Sequence, residues 1–149
     1  MESLRLYLDT SVVSAMLDER TPERQVLTQT TWDRLGLHDV YVSEVVLQEL
    51  SLAPGGLRER LLELVVNFGI LQVTEEIESL ANHYVDATIF PRKYFDDALH
   101  AAIASVHRID YLLSWNFRHL VKVNTRRLVS ATNVQMGYSP VEIISPPEL

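Results

Sequence analysis

The chain has 149 residues, 47% of them hydrophobic and 22% charged, with a formal charge of −7 and no cysteine. That composition suits one soluble domain of ordinary size with a full core; it excludes a disulfide framework and a thiolate metal site, and it argues against coating of nucleic acid by bulk positive charge. No run approaches the roughly 18 apolar residues of a membrane span, and "MESLRLYLD" lacks the apolar stretch and cleavage site of a signal peptide. The expectation is a single cytoplasmic domain over residues 1–149 with no membrane partner.

Residues 4–8 alternate leucine with Arg5 and Tyr7 and predict a strand, ending on Asp9. Thr10 or Ser11 is expected to cap the helix that follows. Thr21 and Pro22 open a helix expected to end near Gly36, and "DVYVS" is a second strand. Ser43 caps a helix carrying Val45, Val46, Glu49 and Leu50. After the break at "APGG", "LRERLLELVVNFG" predicts a helix stopped by Gly69, with "ILQV" as strand three. A helix capped by Thr74 runs towards Pro91. "DDALHAAIASVHR" is an alanine-rich helix, "IDYLLSW" is strand four, and a helix near 125–136 precedes the strand "VEII".

Strands alternating with helices predict a mostly parallel central sheet covered on both faces. Ligands bind such sheets outside the carboxyl ends of the strands, which singles out Asp9 and the segment around Asn116. Each acid has a plain structural reading: Asp9 as a helix cap, Glu49 as a solvated helix residue, Asp96 and Asp97 as favourable charges in a first helical turn. The topology links them. Asp9 ends strand one, Glu49 lies after strand two and Asp97 opens the helix before strand four. Carboxylates held together repel, and three or four oxygens around one point ask for a hard divalent cation such as Mg²⁺ or Mn²⁺. Zinc fits poorly, because no Cys pair or His pair has ligand spacing. His100, three residues after Asp97, reads as a residue lining the site.

Other chemistries lack their residues. No GxxxxGK[ST] loop, GxSxG elbow or cysteine nucleophile is present. A phosphoaspartyl-transfer enzyme would want a second Asp where Ser11 stands, and a receiver domain would want an aspartate near "ILQVTEE".

With "YLDTSVVS", "SEVVLQEL", "YFDDALHAAIA" and "YLLSWNFRHL" in this order, the chain resembles the PIN-domain family, and within it the VapC-type nucleases of bacterial toxin–antitoxin pairs. The resemblance implies a three-layer α/β/α sandwich that cuts RNA with Mg²⁺ or Mn²⁺, leaving a 5′-phosphate and a 3′-hydroxyl. It places the family's acids on Asp9, Glu49 and Asp97 as metal ligands. Thr10, Ser11, Ser43, Asp96, His100 and Ser114 are implied as supporting residues. The fourth acid falls on Asn116, which brings no charge but keeps a carbonyl oxygen that can face metal or its water. Loss of that charge weakens metal binding and leaves open a module that binds RNA or protein without turnover. Arg118, Lys122, Arg126 and Arg127 are candidates to guide the RNA backbone. The resemblance also leaves room for an antitoxin and for a homodimer; Trp32 and Tyr84 are read first as core and second as contacts to another copy.

Overall fold

Tyr7 and its neighbours Leu6 and Leu8 are buried, as expected of the central strand of a sheet covered on both faces. A computed structural model of the chain describes residues 2–149. Its five strands are β1 (Arg5–Leu8), β2 (Asp39–Ser43), β3 (Gly69–Leu71), β4 (Tyr111–Leu113) and β5 (Glu142–Ile144). They form one sheet in the order β3-β2-β1-β4-β5, and every pairing is parallel. The predicted strands are all present.

The helices are α1 (Thr10–Ala15), α2 (Pro22–Trp32), α3 (Glu44–Leu50), α4 (Leu57–Leu64), α5 (Glu75–Asp86), α6 (Phe95–Val106) and α7 (Val123–Met136). The connections β1→β2 and β2→β3 run towards one edge, while β3→β4 and β4→β5 run towards the other. Right-handed crossovers therefore place α1–α4 on one face and α5–α7 on the opposite face. The Tyr84 hydroxyl of α5 donates to Asn133 Oδ1 on α7, and Asn133 Nδ2 donates to Ser105 Oγ on α6 at 2.8 Å. The outcome is the expected three-layer α/β/α sandwich.

Several local expectations need correction. Asp9 itself is the N-cap of α1, its Oδ1 accepting Val12 N–H at 3.3 Å, so the strand-ending acid displaces Thr10 and Ser11 from that role. The helix from Pro22 stops at Trp32, and Gly36 lies in a separate 3₁₀ turn, Leu35–Leu37. Helix α4 ends at Leu64, and Gly69 does not stop it: the glycine opens β3, where a Cβ would stand 2.5 Å from the Tyr41 ring. Tyr84 is fully buried and offers nothing to a second copy of the chain. Trp32 is partly buried against the core and lies beside Phe68. Among the described residues no helix is long and apolar enough to cross a membrane.

Candidate active site

The winding of the sheet reverses between β1 and β4, and the crevice at that switch point opens beyond their carboxyl ends. Asp9 leaves β1 there and Ser114 leaves β4. Ser114 Oγ donates to Asp9 Oδ2 at 2.5 Å, and Ser11 Oγ donates to Asp9 Oδ1 at 2.5 Å. Asp9 is buried, and burial pushes its carboxyl up against the opposing pull of His100 and of these hydrogen bonds. Ser11 Oγ also accepts Trp115 N–H at 2.9 Å, and Ser114 Oγ accepts Asn116 N–H at 2.9 Å.

Glu49 reaches the same place from α3, because Ser43 starts that helix by accepting Val46 N–H at 3.2 Å. Thr10 Oγ1 donates to Glu49 Oε1 at 2.8 Å, and His100 Nε2 lies 3.0 Å from the same oxygen. A carboxylate only accepts, so Nε2 carries the proton. Behind it, His100 Nδ1 meets the Tyr7 hydroxyl at 2.7 Å, and that hydroxyl meets Ser43 Oγ at 2.7 Å. A continuous chain of contacts thus runs Ser43–Tyr7–His100–Glu49–Thr10, joining β2, β1, α6, α3 and α1.

Burial works against a charged His100, but its hydrogen bond to Glu49 and the charges of Asp9, Glu49 and Asp97 outweigh that and raise its pKa. Burial likewise opposes ionisation of Glu49, yet His100 and Thr10 hold its carboxyl below the usual range. Asp97 has no such partner. Burial first, and then the negative charges of Asp9 and Glu49, push its carboxyl up to about 6, with His100 and Asn116 pulling the other way. Asp96 is exposed and makes no cap; it lines, with Glu49 and Asp97, an open cavity of about 300 Å³.

Asn116 departs from expectation. Its Oδ1 accepts His119 N–H at 3.0 Å, and that backbone donor fixes which end of the amide is which. The NH₂ therefore faces Asp97, donating to Oδ1 at 3.2 Å. The carbonyl oxygen that could have faced a cation is turned into the loop. Of the basic residues, Arg118, Lys122 and Arg127 are exposed. Arg126 is instead tied to the protein, with Nη2 3.5 Å from Glu148 and 3.3 Å from the Val121 carbonyl.

Comparison with family models matches residues 6–120 to the PIN domain. The chain belongs to the PIN-domain family. Comparison with curated protein sequences finds no significant relative. Among solved structures, this PIN domain is similar to a chain in the crystal structure of VapBC2 from Rickettsia felis bound to a DNA fragment from their promoter. The two share 10% identity with a TM-score of 0.58, over 94% of this chain and 97% of that one, a likeness of fold.

Among the described residues, no three Asp, Glu, His or Cys side chains stand close enough together to enclose a metal ion as arranged. Both Asp9 oxygens are occupied by hydroxyl donors. The donor chemistry of the PIN site nonetheless fits a hard cation: the acids supply oxygen only, and Glu49 Oε2 and Asp97 Oδ2 accept nothing from the described residues. Both acids line the same cavity.

Two features of the site were missed from the sequence. In the sequence Tyr7 shows only as part of an alternating strand, although a tyrosine on a central buried strand needs a partner for its hydroxyl, and that need is the available signal. The stacked rings of Tyr94 and His119, 4.1 Å apart, join residues with no common period and left no signal.

Proposed function

We propose that this PIN domain is a metal-dependent ribonuclease that hydrolyses RNA phosphodiester bonds. The observation that carries the reading is the convergence of Asp9, Glu49 and Asp97 from three separate segments: Glu49 and Asp97 line one cavity, and the Ser114–Asn116 turn contacts both Asp9 and Asp97. Three such acids with one histidine leave negative charge that a divalent cation would neutralise. Asp9, Glu49 and Asp97 would hold Mg²⁺ or Mn²⁺, which when bound supplies an activated water and offsets charge developing on the phosphate.

The chain's own side chains do the positioning. Ser11 and Ser114 hold Asp9, Thr10 and His100 hold Glu49, and the side-chain NH₂ of Asn116 orients Asp97. Ser43 acts at one remove, through Tyr7 and His100. Arg118, Lys122 and Arg127 are exposed and attract the RNA backbone beside an otherwise acidic protein. The VapBC2 neighbour was crystallised as a complex, which supports the role of toxin in a toxin–antitoxin pair, with an antitoxin as partner.

The orientation of Asn116 favours a second reading, a catalytically weakened module that binds RNA or a protein without turnover. A neutral donor faces Asp97 where the family places an acid. The test is cleavage of a labelled structured RNA in Mn²⁺, in Mg²⁺ and in EDTA, with Asp97→Asn alongside to expose contaminating nuclease. Cutting that needs metal and disappears in Asp97→Asn supports the ribonuclease. Binding of the RNA with no cutting by either protein selects the second reading.

A further inference from the structure

The 300 Å³ cavity beside the acids has a chemically mixed lining. Glu49, Asp96 and Asp97 supply its acids, and Lys93, Tyr94 and Phe95 complete its lining. Its size is at the small end for a ligand pocket. Phe95 packs against the hydrophobic core, whereas Tyr94 does not. The Tyr94 hydroxyl makes no hydrogen bond among the described residues, so neither packing nor polarity explains the ring where it stands. What the ring does touch is the His119 imidazole, with centroids 4.1 Å apart and planes 30° from parallel, and the Lys93 ammonium 5.5 Å from its centroid.

This stacked pair is tied to the site. His119 N–H caps the Asn116 amide, so the loop that orients Asp97 also carries the second ring. Arg118 and Lys122 flank His119 and are exposed. Partial burial and then their positive charges hold the imidazole below its usual pKa. A half-exposed aromatic surface with the Lys93 ammonium over it, adjoining the acids, has the composition of a platform for a nucleobase and its phosphate.

We infer that Tyr94, backed by His119, stacks the base of one unpaired nucleotide next to the scissile phosphate, with Lys93 meeting that nucleotide's charge. The inference rests on the ribonuclease reading and adds to it a base-binding contact outside the acids. A base held in a duplex is already stacked on both faces and cannot reach the ring.

The test reads binding in EDTA, where no cleavage is expected, by fluorescence anisotropy of a labelled single-stranded RNA. A single abasic residue is walked along the oligonucleotide. One position is expected to weaken binding roughly 5- to 150-fold, the loss of one stacked base. Tyr94→Ala loses the same factor on the intact RNA and nothing further at that position, Tyr94→Phe binds as the wild type does, and annealing the complementary strand removes the dependence on Tyr94. If Tyr94→Ala binds the intact RNA like the wild type, or still pays the full abasic loss, the platform is wrong while the ribonuclease reading stands. If the wild type binds no RNA, with or without Mg²⁺, both fall together.

Discussion

The Tyr7 hydroxyl lies 2.7 Å from His100 Nδ1, deep in the protein, and joins the imidazole that holds Glu49 to the residue that caps α3. Both rings are buried, so neither group has water as a substitute partner.

Tyr7→Phe keeps the ring and removes the bridge. It leaves His100 Nδ1 and Ser43 Oγ each short of a partner, at an expected cost of about 1–3 kcal/mol. Urea denaturation should show a lower midpoint with an unchanged slope, since the surface exposed on unfolding stays the same. An unchanged midpoint would mean that the hydroxyl contributes nothing to stability.

Asp97 should make the metal-free protein less stable as pH rises. Its folded carboxyl titrates at about 6, above the ordinary value of 3.8, so unfolding favours its ionised form. The stability it contributes is fully present below pH 3.8 and is lost as pH rises through about 6. Asp97→Asn removes that loss. The variant should exceed the wild type in urea midpoint at pH 7 in EDTA, and the gap should close towards pH 4. A wild type equal to or above the variant at pH 7 would mean that the acid is not strained by its neighbours.

Asn116→Asp exchanges a donor for a fourth acid facing Asp97. Without metal, two carboxylates near 4 Å repel by about 1 kcal/mol in water and by about 4 kcal/mol in a partly screened protein setting. The Tm in EDTA should fall. Addition of Mn²⁺ should then raise the Tm of the variant by more than that of the wild type, because binding to the folded state alone stabilises it. Equal Tm in EDTA and in Mn²⁺ for both proteins would remove the basis for a cation at these acids.

Gly69→Ala tests why a glycine opens β3. The new methyl meets the Tyr41 ring at 2.5 Å, and that ring already holds Arg5, whose guanidinium sits 4.7 Å from its centroid while Nη1 donates to the hydroxyl at 2.9 Å. A loss of about 1–3 kcal/mol is expected from this overpacking. Tyr41→Ala in the same chain should cancel much of it, so the double variant is more stable than the sum of the single effects predicts. Simple additivity would place the cause elsewhere.

The fold was legible because its signals are local. "RLYL" and "YLL" are apolar runs that pair in the centre of the sheet, and Ser43 and Thr74 cap their helices as the sequence suggests. The cap of α1 and the end of α2 turned on choices between neighbouring residues, whereas the role of Gly69 depends on a distant partner. Gly69 looks like a helix stop from its neighbours, but the constraint on it is the ring of Tyr41 across the strand pair. The acids were found one by one from their places at strand and helix ends. What they contact was not readable: the turn of the Asn116 amide depends on His119 N–H, and the support of Glu49 depends on a tyrosine in another strand.

The loop after β4 is anchored by atoms that do not belong to the side chain at position 116. Trp115 N–H is taken up by Ser11, Asn116 N–H by Ser114, and the indole of Trp115 by Thr28 at 2.9 Å. An aspartate at 116 could accept His119 N–H as the amide oxygen does. The difference between a three-acid and a four-acid site then reduces to one atom, nitrogen or oxygen, on a backbone that has no reason to move. Shape and charge are inherited separately at this position, so a lineage can lose or regain the fourth acid by a single substitution, with no compensating change in the scaffold.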